Sequence, residues 1–141
     1  HAHENLSLAF SLAQYFVNRI NGQRNIAVDA SLMGIGRAPG NLCTELITPY
    51  LNNNYGKNYD IMNILELVQN NIVNIRKNFS WGYSPAYSLS AIYKVHRSYS
   101  EYLMKKGLSL NEIRDLLMKI DAEHSKKFNR EYIDLLISGG M

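Results

Sequence analysis

The fold turns on two stretches read together, His1-Ala2-His3-Glu4-Asn5-Leu6 and Gly34-Ile35-Gly36-Arg37-Ala38-Pro39-Gly40-Asn41. In an extended segment side chains alternate between faces, so His1 and His3 point the same way and can hold one divalent ion between their imidazoles. After Asn5, residues Leu6, Ala9, Leu12, Ala13, Phe16 and Val17 recur at helical spacing, and Asn21-Gly22 supplies a stop. Next comes Ile26-Ala27-Val28-Asp29-Ala30, a short apolar run of the kind a buried parallel strand shows, and a glycine-rich turn and another helix follow it. The spacing predicts two successive βα units whose polar residues gather at the carboxyl ends of the strands, where (β/α) barrels place their chemistry.

The chain has 141 residues, whereas a closed eight-stranded barrel typically needs about 250. It has no initiator Met and starts at the expected tip of a strand, so the reading is of a piece of a longer polypeptide. With 46% hydrophobic and 19% charged residues it is ordinary globular material rather than disordered. The formal charge of +3 comes from scattered pairs such as Arg76-Lys77, Lys105-Lys106 and Lys126-Lys127. No basic stripe interleaved with aromatics stands out, which argues against nucleic acid as a partner. Cys43 is alone, so no intrachain disulfide can form and a reducing, cytoplasmic setting is expected, with the thiol read as a small buried hydrophobe. No apolar stretch reaches the roughly 20 residues of a membrane span, and the start does not read as a signal peptide.

Further along, Asn41 opens a helix through Leu42, Leu46, Ile47, Tyr50 and Leu51 that Pro49 should kink or end early. The Asn-rich stretch 52–59 interrupts the pattern and marks a boundary. Beyond it no strand is expected. Asp60 is a good N-cap, and Ile61, Ile64, Leu65, Val68, Ile72 and Ile75 make one apolar face. Gly82 lets the backbone turn ahead of Pro85, which suits the first turn of a helix. Residues 99–106 form an amphipathic run ended by Gly107, Ser109 with Glu112 makes a capping box, and Asn129 caps a last helix stopped by Gly139-Gly140. His96 and His124 have no partner at ligand spacing and read as surface or helix-end residues.

Two imidazoles with oxygen ligands suit a divalent ion with open positions, and mixed nitrogen and oxygen ligation favours Mn or Mg. Such an ion can take a 2-oxo acid through its carboxylate and keto oxygens and stabilise the enolate formed when a neighbouring carbon bond breaks. Asn41 can offer a side-chain oxygen toward the same mouth.

The pieces His1-x-His3-x-Asn5-Leu6-x-Leu8-Ala9, Val28-Asp29-Ala30-Ser31-Leu32-x-Gly34-x-Gly36 and Gly40-Asn41 with Glu45 carry a resemblance. In this order and spacing they resemble the metal-dependent aldolases and lyases related to 3-hydroxy-3-methylglutaryl-CoA lyase, and most of all the 4-hydroxy-2-oxovalerate aldolases. The pattern Gly82-Tyr83-x-x-x-Tyr87-Ser88, followed by Gly107, Ile113 and Leu116, is similar to the carboxyl-terminal helical domain of those enzymes. On composition alone, Trp81, Tyr83 and Tyr87 beside a proline would read as a core plug.

The resemblance implies a fold that goes from α/β to all-α: residues 1–51 as the last two βα units of a TIM barrel, and 52–141 as a helical domain. It implies reversible aldol cleavage of a 4-hydroxy-2-oxo acid to pyruvate and an aldehyde, with His1 and His3 as metal ligands. Asn41 becomes a further ligand or orienter, Tyr83 a donor to the aldehyde oxygen, and Gly36, Arg37, Tyr83 and Tyr87 substrate contacts. Glu4 stands where the family has Asn, and Arg37-Ala38-Pro39 replaces a smaller turn. The family's Arg-Asp-Gly turn and a histidine base would lie upstream of residue 1, so this chain alone is expected to bind metal weakly and to be inactive. The resemblance also suggests an aldehyde dehydrogenase as partner. Two other readings stay open: an acyl-CoA-dependent Claisen-type enzyme of the same superfamily, and a helical docking module without catalysis. Exposed strand edges in a partial barrel would favour a homo-oligomer.

Overall fold

A computed structural model describes residues 1–140. The chain divides into two compact units, His1–Tyr83 and a second from Ser84 onward.

In the first unit, α1 (Ala9–Ile20) turns Ala9, Ala13 and Val17 inward at four-residue intervals. It starts later than the apolar periodicity suggests, because Ser7 is left-handed (φ 55°) and breaks the run from Leu6. Residues 25–30 are extended, with Ile26, Val28 and Ala30 half-buried and Asn25, Ala27 and Asp29 exposed, the alternation of a strand. A 3-10 turn (Leu32–Gly34) leads to α2 (Thr44–Tyr55), which keeps Pro49 inside and runs on through Asn52, Asn53 and Asn54 to left-handed Gly56. Pro49 does not end the helix, and beside it the Thr48 hydroxyl donates to the Thr44 carbonyl at 2.8 Å. Next come α3 (Ile61–Leu67), opened by an Asp60 side chain that accepts from Asn63 N, a π turn (Val68–Ile72) and α4 (Val73–Asn78). Ala9, Ala13, Leu42 and Ile47 form this unit's core cluster.

The expected partial TIM barrel is not there. Among the described residues there is no strand and no sheet, only two isolated bridges, His3 with Asn41 (antiparallel) and Ser31 with Cys43 (parallel). The stretch 26–30 has the side-chain pattern of a strand without a neighbouring backbone. Among the described residues its peptide groups make no backbone hydrogen bond to another segment before Ser31, whose N donates to Leu42 O at 2.9 Å. A parallel strand exists only as a member of a ladder, so alternation without pairing yields an extended connection.

The second unit is a helical cluster of α5 (Pro85–Ile92), α6 (Ser98–Lys105), α7 (Leu110–Met118), α8 (Ala122–Ser125) and α9 (Arg130–Ile137). Its caps are local: Ser84 accepts from Tyr87 N, Ser109 and Glu112 form a reciprocal box, and Asn129 accepts from Tyr132 N. Tyr99, Leu103, Ile113, Leu117 and Ile133 are sealed inside. The Tyr99 hydroxyl lies 2.9 and 3.0 Å from the His124 and Lys127 carbonyls and accepts from Asn129 N at 3.1 Å, joining α6 to the turn before α9. His124 stacks flat on Tyr132 with centroids 3.8 Å apart, which accounts for it as a structural side chain. Among the described residues no helix is long and apolar enough to cross a membrane.

Candidate metal centre

The site residues of the first unit meet around the loop 31–43. Gly34, Ala38, Gly40 and Met33 all have positive φ, two of them without being glycine, so the loop folds tightly at some cost in backbone strain. Its glycines are required by close approach. A Cβ on Gly34 would lie 2.6 Å from the Asn41 carbonyl oxygen, and one on Gly36 would lie 2.5 Å from the Asn41 amide nitrogen.

The loop is tied down from three sides. Met33 N donates to the Glu45 carboxylate on α2 at 2.9 Å, and the Trp81 indole N–H donates to Met33 O at 2.8 Å. Gly82 N donates to Ala38 O at 3.1 Å. Trp81 is itself buried beneath the Arg76 guanidinium, 5.8 Å from the ring centroid. These ties hold Asn41 in place: its N donates to Gly34 O and its side-chain amide donates to Ile35 O, both at 3.0 Å. The amide's NH₂ is thereby engaged, and Oδ1 remains as its acceptor.

The amino-terminal segment runs beside this loop through the His3 and Asn41 bridge, with Glu4 N donating to Gly40 O at 3.3 Å. His3 Nδ1 lies 3.2 Å from the same Gly40 carbonyl. A carbonyl only accepts, so this contact requires the proton on Nδ1 and leaves the lone pair of the neutral ring on Nε2. His1 Nδ1 lies 3.5 Å from the Asp29 carboxylate at the end of the extended stretch. The two rings meet edge to face, 4.7 Å between centroids. His3 thus has an oxygen acceptor at Nδ1, the arrangement by which metal-ligating histidines are oriented, while for His1 the Asp29 carboxylate is a near neighbour.

His1, His3, Gly36 and Asn41 are therefore brought together, and Arg37 sits on the exposed outer side of the same turn. Tyr83 directly follows Gly82, which is tied to the loop, but its own ring is 58% exposed. Tyr87 lies in the second unit, on α5, where burial first and the Glu101 carboxylate second push its phenol above the ordinary range. Among the described residues no group of three or more His, Cys, Asp or Glu side chains is arranged to hold a metal ion. A centre here would use two imidazole nitrogens and the Asn41 amide oxygen, and these donors fit a divalent ion with open positions for a chelating ligand.

Cys43 is half-buried, and its thiol is pushed up to about 11 by burial first and then by Glu45 and Glu4, with Arg76 opposing. It is a neutral thiol at physiological pH, not a nucleophile. Sequence reasoning missed the roles of Asp29 behind His1 and of Trp81 as the loop's anchor. Asp29 could have been found, because it ends the alternating stretch that leads to the loop. Nothing local pairs Trp81 with a carbonyl 48 residues away.

Compared with known proteins, the chain matches no family model, no curated protein and no solved structure.

Proposed function

We propose that the first unit carries the paired-histidine part of a divalent-metal centre in a carbon–carbon lyase acting on 2-oxo acids. The reaction is reversible cleavage of a 4-hydroxy-2-oxo acid to pyruvate and an aldehyde. The observation that supports this reading best is the pair His1 and His3, rings 4.7 Å apart, with His3 Nδ1 toward the Gly40 carbonyl, His1 Nδ1 near the Asp29 carboxylate and His3 bridged to Asn41.

A bound Mn or Mg would supply electrophilic pull on the substrate's keto oxygen. The residues of this chain contribute binding and positioning. His1 and His3 would hold the ion, and Asn41 would offer its amide oxygen as a further ligand or orienter. Gly36, with no side chain, leaves room for the Asn41 amide against the loop backbone. Arg37 attracts the substrate carboxylate from the rim. In cleavage the C4 hydroxyl loses its proton and the C3–C4 bond breaks. C4 becomes the aldehyde carbon, and C3 takes up a proton to become the methyl group of pyruvate. Tyr83 exchanges that hydroxyl proton. The lone Cys43, held as a thiol, agrees with a reducing compartment such as the cytoplasm.

The test is titration of Mn²⁺ followed by electron paramagnetic resonance. His1→Ala and His3→Ala should each weaken binding more than about 10-fold, by analogy with the loss on disturbing even outer ligand contacts. In the whole gene product, Tyr83→Phe should keep Mn²⁺ and lose pyruvate release from a 4-hydroxy-2-oxo acid. Unchanged Mn²⁺ affinity in the double histidine variant would overturn the reading.

A further inference from the structure

Beside the His1 imidazole lies a cavity of about 370 Å³, in the size range of small-molecule sites. Its wall is apolar: Leu12, Ala13 and Phe16 from α1, Val28 from the extended stretch and Leu42 from the loop. Apart from the Tyr15 hydroxyl, its polar side chains are His1 and Asp29, neighbours at the candidate centre. Leu12 and Phe16 are 53% and 40% exposed, large apolar side chains turned to this space rather than to the unit's own core. Such surface normally marks a binding site.

We infer that this cavity is the aldehyde-side pocket of the proposed lyase and selects an aldehyde with an apolar body, a chain of several carbons or an aryl ring. The inference rests on the proposed function, because the His1 imidazole that lines the cavity is what places the carbonyl carbon beside the centre. A two-carbon or hydroxylated aldehyde would leave Leu12, Phe16 and Val28 facing water. A longer chain covers them, and each methylene moved from water onto that wall favours the complex about four-fold.

The experiment has two arms. In the whole gene product with pyruvate and Mn²⁺, kcat/KM is compared for propanal and hexanal, and the three added methylenes should raise it on the order of 50-fold. Leu12→Asp should cut that ratio about ten-fold. In the second arm, methyl NMR of the chain titrated with hexan-1-ol, which cannot be turned over, should shift Leu12, Val28 and Leu42 together. A flat aldehyde series, or no shift of those methyls by hexan-1-ol, overturns the pocket while leaving an aldolase in place. Hexan-1-ol shifts without aldol product from any aldehyde overturn the proposed function, and the aldehyde pocket with it.

Discussion

Among the described residues, the second unit closes on ten buried core residues, from Ala86 to Leu136, whereas the longer first unit gathers four, two of them alanine. The difference teaches what each stretch of sequence is committed to. From Ser84 onward most of the apolar residues cover one another, with Ile92, Leu110, Met118, Leu135 and Ile137 left exposed. In His1–Tyr83 many do not: Leu8, Leu12, Met62, Leu65 and Phe79 are exposed, and neither α3 nor α4 has a buried residue. The tight packing of the first unit is instead around the loop 31–43, where backbone and glycine meet at close range. One unit is organised for stability and the other for placing polar groups.

The most severe way to break that comparison is amide hydrogen exchange on the whole chain. Opening free energy follows local burial, so amides of α6, α7 and α9 should outlast those of α3 and α4 by more than about 100-fold. Equal protection would mean that the exposed apolar helices are stabilised by something the buried cores do not reveal. Truncation sharpens the same point. Leu103 is fully buried, and Leu103→Ala should cost the second unit about 3 kcal/mol in urea denaturation. Leu65, 42% exposed, should cost under about 1 kcal/mol when changed in the same way.

The comparison also explains what was legible in the sequence. Asp60, Ser109 with Glu112, and Asn129 cap the helices they precede and Pro85 stands in a first turn, because a cap is settled within four residues. The strand at 26–30 was not settled locally. Its alternation is real, but a strand needs a neighbour, and residues 1–140 give it only the bridge at Ser31. The helix through Pro49 was similarly decided by the turns around it. Within the site, His1, His3, Gly36 and Asn41 were legible as a pattern. The contacts that orient them, to Gly40 O, Asp29 and Ile35 O, were not, since they depend on how the loop closes.

Gly36 probes the crowded side of the comparison. Its backbone is not left-handed, so Gly36→Ala tests space alone: the new Cβ must displace the Asn41 amide 2.5 Å away. We expect Mn²⁺ affinity to fall about 10-fold, with overall stability lowered by about 1–3 kcal/mol. Unchanged affinity would show that Asn41 contributes nothing to the centre.

Acid acts on the second unit through carboxyls held below the usual range, Asp121, Glu112 and Asp134 among them. Hydrogen bonds from the His124 backbone N–H, then from its ring, hold the Asp121 carboxyl below the usual range. A lowered folded-state pKa contributes stability that is fully present above the unfolded value of about 3.9 and is lost as pH falls through the folded one. Urea midpoints of the second unit should therefore be level above about pH 5 and drop at lower pH. Asp121→Asn should make that limb shallower, and an unchanged slope would assign the acid sensitivity to Glu112 and Asp134.

The smallest effect bears on how well the better core is sealed. Ser100 is fully buried on α6, and its hydroxyl has no hydrogen-bond partner. An unsatisfied buried hydroxyl costs free energy that its removal restores, and alanine is also the better helix former. Ser100→Ala should thus stabilise the second unit by about 1 kcal/mol, a rise of about 4–8 °C in the melting temperature of a domain this small. Destabilisation instead would mean that the hydroxyl is bonded to trapped water. The contrast between a dry second unit and a polar first one would then be weaker than the buried side chains suggest, because water would reach the centre of both.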